Sequence, residues 1–443
     1  MISRRDALKG SLLGAGLIGL KAMATGLPIS FLLNPSIARS DEACKAMATS
    51  QFLILSMSAN GDALNCNVPG TYNLPPSFLP GAVNHPDTLE MVEKPLKLGA
   101  TTTSAAAPWS TLPQDVLDRT CFFHHRTQTA NHGELGKVLK LMGELRRGEE
   151  MVSYFSKNLY ECFGTVQPQP VTLGGDLASY GGRYLPNLSP KGLKSLLTGP
   201  TGIEKDLQGL RDSSLDKLNA LFKANRAETT AERAFLDQMA LSQTQIRGLI
   251  EQVASDLAKI QDNESDPKVA VANQITAAVI LVKLNVTPVV TIHLPFSGDN
   301  HTDALWKNET TQTLNSVDNI KLLMTQLKAN NLQDKVTFAT MNVFGREFNT
   351  QFGRGHSPVH SISVMIGKAI KAGIVGGLEP NKASGAMCTG IDSVTGAADT
   401  NGDIPAGSTL PSLAKTLGKA MGIPVSSLDD QITAGKIVQG ALV

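Results

Sequence analysis

Seven of the chain's eight histidines fall in three short stretches: His124, His125 and His132, then His293 and His301, then His356 and His360. In each stretch at least one histidine sits just past a predicted strand, beside Asn, Asp or Gly, and Asp62 directly follows the first strand. Imidazole nitrogen and carboxylate oxygen suit borderline divalent metals. A pair of such ions can clamp both the attacking and the leaving oxygen of a phosphoryl or sulfuryl ester. The pattern makes Asp62, Asp299, His301, His356 and His360 the candidate metal ligands, with zinc, manganese or calcium as the cofactor class. A single His or Asp at a loop start more often caps a helix or bonds backbone, so the weight rests on the set.

Those residues need a frame that brings distant segments to one edge. The apolar runs at 51–58, 120–125, 288–294 and 335–341 read as strands. Helical spacing starts near His132, with Leu135, Val138, Leu139, Met142 and Leu145 on one face, and recurs at 269–284, 314–327 and about 410–421. Such alternation predicts an α/β fold with a mainly parallel sheet and helices on both faces. Working residues of such sheets sit at the carboxyl ends of strands. Residues 203–260 form a polar-rich helical pattern, expected to be an insertion. The segments 68–115 and 376–411, rich in small and turn-forming residues, read as irregular loops.

The composition excludes several classes. With 443 residues, 42% hydrophobic and 5% aromatic, the chain can bury a large core, so disorder and small disulfide scaffolds are out. Its 40 basic and 39 acidic residues give no electrostatic case for a nucleic-acid partner. The first forty residues carry Arg4, Arg5, Lys9, Lys21 and Arg39 against Asp6 alone. Ser3-Arg4-Arg5-Asp6-Ala7-Leu8-Lys9 matches a twin-arginine export signal except that Ala7 replaces the usual Phe, and short apolar stretches and a small-residue cleavage site at Ala38-Arg39-Ser40 follow. The expectation is a leader at 1–40, handled by the twin-arginine translocase, and a mature domain at 41–443. That domain would be periplasmic or secreted, without a stable transmembrane segment. An oxidising compartment permits one or two disulfides among Cys44, Cys66, Cys121, Cys162 and Cys388, whose pairing stays open.

The ordered motifs from about residue 51 to 425 resemble the bacterial exported proteins grouped as domain of unknown function fifteen-oh-one, of the alkaline phosphatase and sulfatase superfamily. Ala59-Asn60-Gly61-Asp62-Ala63-Leu64-Asn65 with Val68-Pro69 resembles the family's G-G-x-D-G-L-N and V-P. Asn131-His132 stands for S-H, and Ser297-Gly298-Asp299-Asn300-His301 for G-W-D-T-H. Asn342-Val343-Phe344-Gly345-Arg346 stands for S-E-F-G-R, and Gly355-His356 with His360 for the D-H segment. The resemblance implies an alkaline-phosphatase-like fold and a metal-dependent phosphate or sulfate ester hydrolase. Asp62, Asp299, His301, His356 and His360 would be its ligands, and Asn131, His132 and Arg346 would occupy catalytic positions. Three departures touch that site. Asn131 replaces the serine of S-H and cannot serve as an alkoxide nucleophile, leaving Thr127 or Thr129 as nearby alternatives. Gly355 replaces the Asp of D-H, and Val343 the Glu of S-E-F-G-R. The expected partner is therefore a small anionic ester or, if catalysis is lost, an unidentified protein bound by an inactive descendant of the fold.

Overall fold

The computed structural model describes residues 52–72, 85–198 (164, 166 and 175–177 excepted), 203–225, 253–348 and 353–443. The expected leader at 1–40 and part of the expected insertion, residues 226–252, lie outside these. Seven strands form the central sheet: β1 Phe52–Ser58, β2 Thr120–His125, β3 Val171–Thr172, β4 Val289–Ile292, β5 Val336–Asn342, β6 Ser361–Ile366 and β7 Gly373–Val375. Their order is β7-β2-β6-β5-β1-β4-β3. Every neighbouring pair is parallel except the two that involve β6, which runs against β2 and β5. This is the expected α/β class, a mostly parallel sheet flanked by helices. The expected strands at 51–58, 120–125, 288–294 and 335–341 correspond to β1, β2, β4 and β5.

Strand β1 shows why the sheet needs cover on both sides. All of its residues are buried. Phe52 and Ile54 face one core, and Leu53, Leu55 and Met57 face the other, as the period-two pleat requires. The first core is closed by helix α1, Pro267–Lys283, and helix α2, Lys307–Ala329, through Ile275, Val279, Val317, Ile320 and Leu327. Tyr154, Phe155 and Leu159 close the second together with helix α3, Thr409–Ala420. Among the described residues no helix is long and apolar enough to cross a membrane.

Three local expectations are corrected. Residues 68–115 hold a hairpin, Glu93–Leu98 with Thr101–Ala106, turned at Gly99 with φ +58°. Its Thr-rich strand is exposed at Thr101 and Thr102, so polarity there marks a wet face rather than a loop. Residues 376–411 hold a second hairpin, Leu378–Asn381 with Gly385–Cys388. The helix near His132 is only a 3-10 turn, His132–Glu134, and five residues, Leu135–Leu139. Leu141 and Met142 have φ of +55° and +58°, which ends the helix, yet Leu135, Val138, Leu139, Leu141 and Leu145 are all buried. The periodicity identified the buried residues without the backbone path. Within 203–260, residues Ile203–Asn225 are one helix. Cys162 is disulfide-bonded, while Cys66, Cys121 and Cys388 are buried free thiols.

The connections beyond the strand ends are held by a buried ion pair. Arg354 meets Glu309 through Nε at 2.7 Å and Nη2 at 2.9 Å, and Trp306 lies under its guanidinium with the ring centroid 4.2 Å away. Asn67 and Asn300 each donate to the same carboxylate, at 3.0 and 3.1 Å. The Glu309 charge therefore ties three loops to α2. Removing one member of a buried pair strands the other charge. Glu309→Ala should lower the unfolding free energy by about 3–5 kcal/mol, measured by urea denaturation; a loss under ~1 kcal/mol, typical of exposed pairs, would contradict this role.

Candidate metal centre

Three of the connections emerging at one edge of the sheet carry polar side chains that meet. His132 follows β2, Asp299 and His301 follow β4, and His356 pairs across a two-residue bridge with Arg346, which follows β5. One ligand atom from each of His132, Asp299, His301 and His356 lies within 4.8 Å of the others. The Asp299 carboxylate is at the middle: His301 Nε2 is 3.1 Å and His356 Nε2 3.7 Å from Oδ1, and His132 Nε2 is 3.5 Å from Oδ2.

Backbone carbonyls fix which nitrogen of two imidazoles faces inward. A carbonyl can only accept, so His132 Nδ1–H donates to Ala59 O at 2.7 Å and His356 Nδ1–H donates to Ala130 O at 2.6 Å. In the neutral ring each Nε2 then keeps its lone pair. His356 Nε2 is buried and has no hydrogen-bond partner among the described residues. A metal-binding histidine is held in this way, with its second ring N–H on a carbonyl or carboxylate. Burial lowers the His356 pKa despite the Ala130 hydrogen bond, and the nearby charges of Arg346, His301 and His132 lower it further. Phe344 stacks on His356 with centroids 4.1 Å apart and meets the His132 ring edge-on at 4.9 Å. That ring needs Gly61, where an added Cβ would sit 1.9 Å from a Phe344 ring carbon.

Arg346 is fully buried and its donors are spent inside the protein. It bonds Gly61 O, Asn60 O at 2.5 Å, Arg354 O at 3.2 Å and Asp299 Oδ1 at 2.9 Å. Partial burial of Asp299 works against its ionisation, but the Arg346 hydrogen bond and charge, with His301 and His132, outweigh this and hold the carboxyl below the usual range. Arg346 thus positions the central carboxylate and does not face outward to meet an anion.

Asp62 and His360 stand outside the group of four. Asp62 is buried and accepts from Phe296 N at 3.0 Å, Gly298 N at 3.1 Å and Ser58 Oγ at 3.1 Å. Burial raises its pKa, but His293 and then these donors more than offset that, so it stays anionic and clamps the loop that delivers Asp299. His360 has both ring nitrogens engaged: Nδ1 is 3.0 Å from Asn65 Nδ2, and Nε2 is 2.9 Å from His124 Nδ1. His124 Nε2 donates to Pro69 O at 3.1 Å. One proton order satisfies every contact with neutral rings: Asn65 donates to His360, His360 Nε2–H to His124, and His124 to Pro69. The spacing of the histidines did not separate these two groups. His360 precedes the antiparallel strand and is drawn back into the core, whereas His132 lies on the open turn.

Asn131 caps its 3-10 turn, its Oδ1 accepting from Gly133 N at 2.9 Å. Thr129 donates its hydroxyl to Glu134 at 2.5 Å and accepts from Asn131 N at 3.1 Å. Thr127 is fully buried. The clefts of about 330 Å³ beside Lys157 and Tyr184, and about 370 Å³ beside Arg119 and Lys328, are lined by none of the four cluster residues. No protein-family model matches the chain, and no curated protein matches it.

The relay makes a pH prediction. Burial pushes the His124 pKa down to about 4 and His360 well below its ordinary value. Each folded value lies under the unfolded value of about 6.5. The neutral relay thus contributes stability that is fully present above about pH 6.5 and is lost as pH falls through the folded values. Nitrogen-15 spectra of the imidazoles should show both rings neutral at pH 5.5; protonation of His124 with a midpoint near 6.5 would contradict the arrangement.

Proposed function

We propose that the protein binds one divalent metal ion through His132, His301 and His356 Nε2 and an Asp299 oxygen, and that this centre serves hydrolysis of a phosphate or sulfate ester. The observation that carries the reading is the pair of imidazoles whose Nδ1–H groups are anchored on Ala59 and Ala130 carbonyls while their Nε2 atoms converge on Asp299. Three imidazoles and one carboxylate form a nitrogen-rich donor set, which favours zinc or manganese over oxygen-seeking calcium. A bound cation would polarise an ester oxygen and offset charge developing on it. The protein's own contribution is positional. Asp62 holds the Asp299 loop, Arg346 orients the carboxylate, and Phe344 backs two of the rings.

Four protein donors would close a tetrahedral site, and catalysis needs a further open position. The flank of the cluster supplies room, since the side chains of His132, Asp299 and His301 are 38, 46 and 50% exposed. With Thr129 bonded to Glu134, Asn131 spent as a cap and Arg346 turned inward, water is the attacking group this reading assigns. The sequence resemblance to the alkaline phosphatase and sulfatase superfamily, and the twin-arginine motif that would route the protein to the periplasm, both support it. A second reading is a closed, inactive metal site in a binding protein, favoured by the same loss of a hydroxyl nucleophile and of a free arginine.

Metal-free protein titrated with zinc or manganese should bind one equivalent, and His356→Ala should weaken binding at least tenfold. The loaded protein should hydrolyse p-nitrophenyl phosphate or p-nitrophenyl sulfate above the metal-free rate. Stoichiometric binding with no hydrolysis of either ester would select the inactive reading. Binding below a tenth of an equivalent would overturn both.

A further inference from the structure

Three cationic side chains and two carboxylates meet at the cleft of about 330 Å³: Lys140, Arg147 and Lys157 with Glu149 and Glu150. The cleft forms where the turn Arg146–Gly148 and the helix Met151–Phe163 face a short hairpin, Ser179–Tyr180 with Arg183–Tyr184. Two hydrogen bonds seat the hairpin against residues 150–153. Ser153 Oγ donates to Ser179 O, and Ser179 N donates to Glu150 Oε2 at 2.6 Å. Glu149 is taken up by Lys157, which also lies over the Tyr180 ring, 5.2 Å from its centroid. That leaves Lys140 and Arg147, neither of which has a side-chain hydrogen bond or ion pair among the described residues.

Glu150 is only 3% exposed, yet it lines the cleft. Ser179 supplies its only donors among the described residues, whereas an ionised carboxylate can accept about four hydrogen bonds. Burial raises the Glu150 pKa, and the Ser179 N–H and hydroxyl and the Lys140 charge oppose that rise. A buried carboxylate short of donors is costly unless the space it faces supplies them. An ammonium is a poor occupant, because Lys140, Arg147 and Lys157 already make the walls net positive. A neutral hydroxyl meets the need without that repulsion. Lys140 and Arg147 suit a carboxylate or phosphate, the guanidinium through its planar fork. Tyr184, also on the wall, is 75% exposed and offers an apolar ring face.

We propose that this cleft binds a hydroxylated anion the size of one monosaccharide, a sugar phosphate or a sugar acid. Its anionic group is held by Lys140 and Arg147, its hydroxyls donate to the Glu150 carboxylate, and the C–H face of its ring packs on Tyr184. The volume lies at the lower end of the range of ligand pockets, about 300–1,000 Å³, and admits one sugar ring rather than a chain. The inference is independent of the metal-binding reading, since none of His132, Asp299, His301 and His356 lines the cleft.

Isothermal titration calorimetry on the metal-free full chain tests this with glucose 6-phosphate and glucuronate. Glucose and inorganic phosphate serve as the two halves of the ligand. At least one anionic sugar should bind, with glucose and phosphate each at least about tenfold weaker. Which of the two sugars binds separates a phosphate from a carboxylate ligand. Arg147→Ala and Glu150→Gln should each weaken binding about tenfold or more, the scale of a charged hydrogen bond. His356→Ala should leave the affinity unchanged. Arg147 is exposed and makes no side-chain bond among the described residues, so its replacement keeps the fold. Thermal melts check the fold of Glu150→Gln. The proposal is overturned if neither anionic sugar binds with a Kd below about 10 mM, or if phosphate alone matches the sugar. It is equally overturned if His356→Ala removes the binding or if Arg147→Ala binds like wild type. The first, second and last of these outcomes leave the metal centre standing.

Discussion

The Glu309 carboxylate, buried in the N-terminal turns of a helix and shared by Arg354, Asn67 and Asn300, is the interaction on which the edge of the sheet depends. Each partner belongs to a segment that carries or adjoins a functional side chain. Asn300 precedes His301, Arg354 lies two residues before His356, and Asn67 follows the Asp62 turn. A single buried charge thus fixes the separation of loops that are far apart in sequence. Such a pair is not chosen for stability alone, since desolvation consumes much of what the Coulomb attraction supplies. Its value lies in geometry: the bidentate guanidinium and two amide donors accept only one arrangement of the loops.

Outward from that pair, the polar groups divide the labour. Asp62 and Arg346 are charged and buried, and both act on Asp299, one through the backbone of its loop and the other on the carboxylate itself. His124, His360 and Asn65 form a neutral, proton-ordered chain that links β2, the start of β6 and the segment at Arg346. Neither set exposes a free lone pair. The imidazoles of His132 and His356 do, because carbonyls take their Nδ1–H groups and leave Nε2 turned toward Asp299. The difference between a structural histidine and one that could ligate a metal here is one of bonding at the second nitrogen, not of residue type.

That distinction explains what could be read from the chain. The strands 51–58 and 120–125 were legible from their unbroken apolar character, and the alternation with helices specified the class of sheet. Asp299, His301 and His356 were legible as members of one site because each stands just past an element that ends at the same edge. His132 was placed near the chemistry rather than among the ligands, since its position before an apolar face also suits a helix start. The antiparallel direction of β6 was not foreseen. It is what carries His360 into the core to meet His124, a partner 236 residues away that no local pattern indicates. Asp62 kept its predicted place at the end of β1, but its hydrogen bonds to Phe296 and Gly298 arise only once β4 lies alongside β1. Residue spacing reported candidates, and the sheet order sorted them.

X-ray absorption at the zinc edge, on protein loaded with one equivalent of zinc, tests the central claim most directly. The account predicts a single zinc environment with three imidazole nitrogens at about 2.0–2.1 Å and an oxygen at about 2.0–2.2 Å, unchanged in shell composition in His360→Gln. A shell with fewer imidazoles, or one that loses an imidazole when His360 is replaced, would contradict it.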